Sequence, residues 1–330
     1  MVKRYIIILT IIAVGFCSKI YAQDAHFSQF YSNPLYLNPA LAGSENCPRF
    51  TLSYRNQWPG LGQTYVTYSL GYDQFISAIH GGIGVHLLHD VQANGAFSTS
   101  QINAMYAYTL QLNHKFFLTG GLQASFFLHH VNYDFIFPDM IHPLYGPIYG
   151  TQENGSLSSD YKGHPDFSLG LLGFTEKTFL GIAVHHITKP SVSFLKNTSD
   201  ASLLPKVTVH FGTDIDLIKK GNQRRGGLIL SPQILYQQQG IFQQFNWGLY
   251  VKRNQLVVGI WARQNFLFHY DAVSLLLGYK HPSFRLAYSY DLTVSELARS
   301  AFGSHEVSLA FLLPCKAKST KRKSVNCPSF

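Results

Sequence analysis

The sequence predicts an all-β protein, a single closed transmembrane antiparallel β-barrel of about 14 strands. Three observations predict it. The chain opens as exported chains do, with Met1-Val2-Lys3-Arg4, an apolar run from Tyr5 to Phe16, and the small residue Ala22 before Gln23. After that leader, no apolar run approaches the ~20 residues that a spanning helix needs. Instead, short segments alternate apolar and polar residues along most of the chain, the period of strands with one oily face.

Residues 1–22 read as a signal peptide, too short and wrongly flanked for a membrane-spanning helix. Cys17 follows the bulky Phe16, where a lipid-anchoring site wants a small residue. Removing the leader leaves 308 of the 330 residues, a length that suits one large barrel or two ordinary domains. Only 13% of residues are charged while 15% are aromatic, and that balance in an exported chain favours the barrel.

Residues 23–46 are polar, aromatic and turn-rich, with Asn33-Pro34 and Asn38-Pro39 interrupting any regular element. The barrel is expected over 47–313, with strands at about 48–57, 64–75, 81–89, 97–111, 115–129, 166–175, 178–187, 205–217, 226–237, 242–252, 255–263, 272–280, 283–292 and 305–313. An even number puts both chain ends on one side of the membrane. The first strand sets Phe50, Leu52 and Tyr54 against Arg49, Thr51, Ser53 and Arg55, and the thirteenth sets Phe284, Leu286, Tyr288 and Tyr290 against Arg285, Ala287, Ser289 and Asp291. Arg55, Asp214, Asp216, Arg285, Asp291 and Glu306 all fall on the polar parity. That is expected of a lumen, because a mid-bilayer Arg or Lys on the lipid face costs ~2–4 kcal/mol. A soluble sandwich also hides apolar faces; strand lengths near ten, outward Tyr and Trp, and the export signal favour the barrel. Phe117, Phe127 and Leu276 fall on the lumen side, which calls for something filling it, and Pro232 implies a bulge in the ninth strand.

The connections support this layout. Those on the side of the termini, such as Ile76–His80, Leu112–His114 and Lys280–Pro282, are short, whereas Val131–Pro165, Thr188–Leu204 and Thr293–Ser304 are long, as outward loops are. The loop after Val131, rich in Pro, Gly, Tyr and Asn, is the natural place to receive a surface partner. Residues 314–330 form a basic periplasmic tail carrying Lys316, Lys318, Lys321, Arg322 and Lys323, either a solvated extension or a docking segment for an acidic periplasmic partner or anionic headgroups. The tail and leader account for most of the formal charge of +9, leaving about +1 on the body, so nucleic acid is not an expected partner.

No catalytic, cofactor or metal residues are expected. Ser, His and Asp occur without a nucleophile elbow. The pairs His86/His89, His129-His130 and His185-His186 each place their side chains on opposite faces of one strand. Gly81-Gly82 and Gly120-Gly121 precede no helix, so they read as strand bends or close packing. Three cysteines follow the leader. Closure of the barrel brings Cys47, just before the first strand, near Cys315, just after the last, and makes them a disulfide candidate in the oxidising periplasm; Cys47–Cys327 is the competing pair.

The run His26-Phe27-Ser28-Gln29-Phe30-Tyr31, then Asn33-Pro34, Leu37-Asn38-Pro39-Ala40-Leu41-Ala42-Gly43 and Tyr54-Arg55-Asn56-Gln57-Trp58, resembles the N-terminal signature of the PorP/SprF family of type IX secretion system outer-membrane proteins. The resemblance implies a non-enzymatic barrel in the cell outer membrane, in contact with its lipid, that anchors or assembles secretion components or attaches a secreted adhesin at the surface of gliding and related bacteria. Its implied partners are periplasmic and outer-membrane components of that machine and the adhesin. The triplet Asn38, Pro39, Ala40 is also similar to one in the hatch of long-chain fatty-acid channels, which implies that residues 23–46 fold into the lumen as a plug, an extended periplasmic arm being the alternative. The rival functions are uptake of hydrophobic small molecules, as in those channels, and a membrane-embedded hydrolase.

Overall fold

The structure, a computed structural model, describes residues 24–45, 47–62, 65–132, 136, 138–150, 160–194, 202–218, 227–266, 269–294 and 302–314. The leader and the basic tail, with Cys315 and Cys327, lie outside the described residues.

Strands rich in β-branched and aromatic residues, separated by Gly-, Asn- and Pro-bearing turns, pair with their sequence neighbours. They are β1 (Arg49–Gln57), β2 (Tyr65–Ile76), β3 (Gly81–Gln92), β4 (Phe97–Gln111), β5 (Phe117–Val131), β6 (Tyr161–Phe174), β7 (Thr178–His185), β8 (Lys206–Thr213, resumed at Ile215–Ile218), β9 (Leu228–Gln239), β10 (Phe242–Arg253), β11 (Leu256–Gln264), β12 (Tyr270–Lys280), β13 (Phe284–Thr293) and β14 (Ser304–Leu312). Every pairing is antiparallel, and β1 against β14, with Arg55 opposite Glu306, closes the cylinder. A separate two-stranded hairpin, Ile141–His142 with Gly146–Pro147, sits in the loop after β5.

Burial follows strand parity and runs opposite to that of a water-soluble domain. Outward Ile102, Leu122 and Leu277 are 57–58% exposed, whereas inward Arg55 and Glu306 are 1% exposed. Apolar groups that face out around a closed cylinder face lipid, and the polar groups facing in shelter from it. No helix among the described residues is long and apolar enough to cross a membrane.

Three details differ from the sequence reading. β6 starts at Tyr161, not at 166, because Pro165 sits inside the ladder opposite Phe126 with its ring outward and exposed, so the loop before it is shorter than expected. Pro232 lies in an unbroken β9, in register with Leu249. The interruption is instead in β8, which loses pairing between Gly212↔Gln233 and Ile215↔Leu230, beside the proline. Asp216, assigned to the lumen, is exposed at the end of the cylinder and pairs with Lys177 at 2.7 Å.

The inner half of the cylinder is packed. Phe117, Phe174, Tyr250, Trp261 and Leu276 point inward from the strands and form one buried cluster with Phe30, Tyr31, Leu37, Ala40 and Leu41 of the N-terminal segment.

Candidate functional site

The N-terminal segment, Asp24 to Glu45, runs along the inward faces of the strands and makes polar contacts with them along its length. Its prolines and asparagines shape it. Phe30–Ser32 and Pro39–Leu41 are single 3-10 turns, Pro34–Leu37 is one α-helical turn, and each Pro opens its turn where no N–H is needed. Such short pieces have little stability of their own. Tertiary contacts hold them in three tiers.

The inner tier lies at the rim where β1 begins and β14 ends. Arg49 grips Asp73 with a two-pronged fork, Nε to Oδ1 at 2.9 Å and Nη2 to Oδ2 at 3.0 Å, and the Gly43 N–H donates to the same carboxylate at 2.9 Å. Arg285 reaches Glu45 at 2.7 Å. Forked, desolvated pairs of this kind fix geometry as well as charge.

The middle tier centres on Asn38. Its Oδ1 accepts from the Ala40 N–H at 2.9 Å, an N-cap for the Pro39–Leu41 turn. Its Nδ2 donates to the carbonyls of Leu171 and Ile182 at 3.2 and 3.3 Å and lies 3.1 Å from His210 Nε2. Asn38, Pro39 and Ala40 are all buried. Glycines make room for this turn: a Cβ on Gly121 would come 2.3 Å from the Ala40 nitrogen, and one on Gly170 would come 2.0 Å from Asn38 Oδ1. Gly82 gives the same clearance to the Ala42 carbonyl.

The outer tier is ionic. Glu306 accepts from the N–H groups of Ser28 and Gln29 at 2.6 and 3.1 Å and from Arg55 at 3.1 Å. Asp291 binds Arg55 at 3.1 Å and Arg263 at 2.7 Å, and the Ser28 hydroxyl bonds to both Asp291 and Arg55. Further out, Asp24 meets His186 at 2.9 Å and Lys206, while its backbone N–H donates to Gln239 at 3.1 Å. His186 is held from its other nitrogen by Asp166 at 2.7 Å. Burial by itself would raise the Asp24 carboxyl, but the His186 and Lys206 charges hold it well below the usual carboxylate range. Burial likewise opposes the His186 cation, yet Asp24 and Asp166 push it up to about 9. Beside this tier opens a cavity of about 510 Å³, lined by Asp24, His26, Trp58, Gln239, Phe242 and Arg263 among others.

The other sites expected from sequence fare differently. Cys47 is disulfide-bonded, and both of its proposed partners fall outside the described residues, as do Lys316, Lys318, Lys321, Arg322 and Lys323. Among the described residues, no group of three or more His, Cys, Asp or Glu is placed to hold a metal ion. His86, on the lumen side, is tied to Ser69 at 2.8 Å and Asn103 at 3.0 Å. Phe117 stacks on Phe174 and Phe127 on His164. His210, Gly121 and Gly170 were not singled out as site residues; the Gly120-Gly121 pair was the available signal, and only one of the two faces the lumen.

A family model described as type IX secretion system membrane protein PorP/SprF matches residues 19–311. No curated protein matches the sequence. Among solved structures, the chain is similar to the toluene transporter TodX of Pseudomonas putida, at 10% identity over 89% of this chain and 98% of that one, with a TM-score of 0.47. It is also similar to the outer membrane protein Omp33 of Acinetobacter baumannii, at 7% identity over 82% and 100%, with a TM-score of 0.44.

Proposed function

The chain belongs to the PorP/SprF family of type IX secretion system membrane proteins, and from that premise we propose that it is a non-enzymatic outer-membrane anchor, plugged by residues 23–46, that holds a secreted adhesin at the cell surface. Membership implies other components of the secretion system as partners. The basic tail, Lys316 to Lys323, is the segment that would meet acidic periplasmic components, through charge.

The observation that carries the adhesin reading is the outward loop after β5. Around its short hairpin, Leu144 is 83% and Tyr145 73% exposed, with Ile141, Ile148 and Tyr149 also open to water. An apolar cluster on a loop beyond the membrane loses nothing to water if a partner covers it. Uptake of hydrophobic solutes gains no support from the inner half of the cylinder, which an apolar cluster packs, leaving only the outer cavity, lined by aromatic as well as charged and amide groups.

A deletion strain complemented with Leu144→Asp/Tyr145→Asp provides the test. Surface display of the adhesin, measured by antibody on intact cells, is expected to fall at least tenfold while the barrel still assembles. Wild-type display by that variant would overturn the reading.

A further inference from the structure

The two ends of the N-terminal segment lie at opposite ends of the cylinder. Glu45 meets Arg285 at the rim where β1 begins, close to the short inner turns. Asp24 meets His186, Lys206 and Gln239, residues that follow β7, open β8 and end β9 at the other rim. That second rim carries the long 132–160 and 186–205 connections, which face outward in this architecture. Between the two, Asn38 lies against the carbonyls of Leu171 and Ile182. The segment therefore runs the length of the lumen with its N-terminal end outermost.

We propose that the mature N-terminus is displayed at the outer mouth of the barrel, on the cell-surface side, although the chain is delivered from the periplasm and β1 begins, and β14 ends, at the inner rim. The leader limits the alternatives. Seven residues, Cys17 to Gln23, separate its apolar run from Asp24. Fully extended they span at most ~25 Å, less than the ~30 Å of hydrocarbon alone. With Asp24 seated, the end of the apolar run stays within the thickness of the outer membrane and cannot remain in the inner one, so the seated form is the processed form: water has hydrolysed the amide after Ala22, leaving a carboxylate there and an α-ammonium on the next residue. The cavity of about 510 Å³ beside the half-buried Asp24, Ala25 and His26 gives that end room at the outer rim. A surface partner would thus find a chain end within a mouth lined by aromatic and polar groups, next to the long loops. This holds whichever protein the barrel anchors.

The test is topological. Ala25→Cys, which lines the outer cavity, is treated on intact cells with a membrane-impermeant maleimide, with Leu144→Cys as the outer-loop control and Lys115→Cys as the inner-turn control. Ala25→Cys is expected to label on intact cells to at least half the extent of Leu144→Cys, while Lys115→Cys labels only after permeabilisation. Separately, an epitope inserted between Ala22 and Gln23 is expected to be stained on intact cells, and the same epitope after Phe330 is not. Labelling of Ala25→Cys only after permeabilisation, or staining of both epitopes under the same condition, would overturn the proposal.

Discussion

Gly120 and Gly121 are adjacent in β5, and strand geometry sends a side chain on one to the lipid and on the other to the lumen. Replacing each by alanine therefore separates the strand's own preference from the fit of the N-terminal segment. At Gly120 a Cβ would have only Leu171 Cδ2 as a neighbour, at 3.8 Å, an ordinary contact. Gly120→Ala is expected to be neutral or to stabilise by ~0.4–1 kcal/mol, because alanine restricts the unfolded chain. At Gly121 the Cβ would meet Ala40 N, Pro39 C and Ala40 Cα at 2.3, 2.5 and 2.6 Å. These are backbone atoms of a turn pinned by Asn38, so they cannot swing aside as a flexible side chain would. Overpacking costs ~1–3 kcal/mol. If the turn is displaced, the two hydrogen bonds from Asn38 Nδ2 to Leu171 and Ile182 go with it, about 1 kcal/mol each. The sum, ~3–5 kcal/mol, corresponds to a rise of at least two orders of magnitude in the open population of the segment. Hydrogen exchange of residues 38–42 in detergent-solubilised protein reads this directly, and the heat-dependent gel shift of the barrel serves as the control for an intact cylinder. Equal protection in the two variants would refute the argument that Gly121 exists to admit Ala40.

Three further outcomes are expected. Asp291→Asn removes a carboxylate shared by the buried Arg55 and the part-buried Arg263, and the loss of a buried partner typically costs ~3–5 kcal/mol; thermal denaturation should show a clear fall in midpoint, and an unchanged midpoint would contradict the network. The outermost anchor should depend on pH: His186, raised to about 9, contributes fully below its ordinary ~6.5 and is lost as pH rises through about 9. Asp24, held below 3.8, contributes fully above that value and is lost only as pH falls through its lowered one. Protection factors for residues 24–27 should accordingly be higher at pH 6 than at pH 10, with His186→Gln abolishing the difference. Finally, peptide mapping of unreduced protein is expected to join Cys47 to Cys315; a Cys47–Cys327 peptide in its place would show that closure of the seam does not decide the pairing.

The cylinder was legible because lipid exposure imposes one strict rule on every strand: parity decides solvent. Phe50, Leu52 and Tyr54 against Thr51, Ser53 and Arg55 state it in six residues, and the observed register of β1 with β14 obeys it. Boundaries were less legible where a residue's usual penalty is waived. Pro165 ends a strand in most contexts, yet here it is carried inside one. The interior was legible only in outline. Inward Phe117 and Leu276 signalled a filled lumen, and the Asn38-Pro39 step marked a turn, but which strands that turn would touch depends on contacts more than 130 residues apart. A glycine that clears a neighbour's backbone leaves the same letter in the sequence as one that merely bends a strand, and Gly121 and Gly120 differ only in parity.

The bonds around Ser28 have a consequence for how the molecule is made. Ser28 and Gln29 leave the ribosome early, whereas Glu306, to which both donate, is added 278 residues after the first of them. Arg55, on the opposite side of the seam, binds the same acid. The opening and closing staves thus share a clasp that cannot fasten until synthesis is nearly complete, and a product truncated before residue 306 lacks the carboxylate that joins its beginning to its end. Unfinished chains would present an open sheet in which Arg55 lacks one of its two acids and has at most Asp291 left to bind.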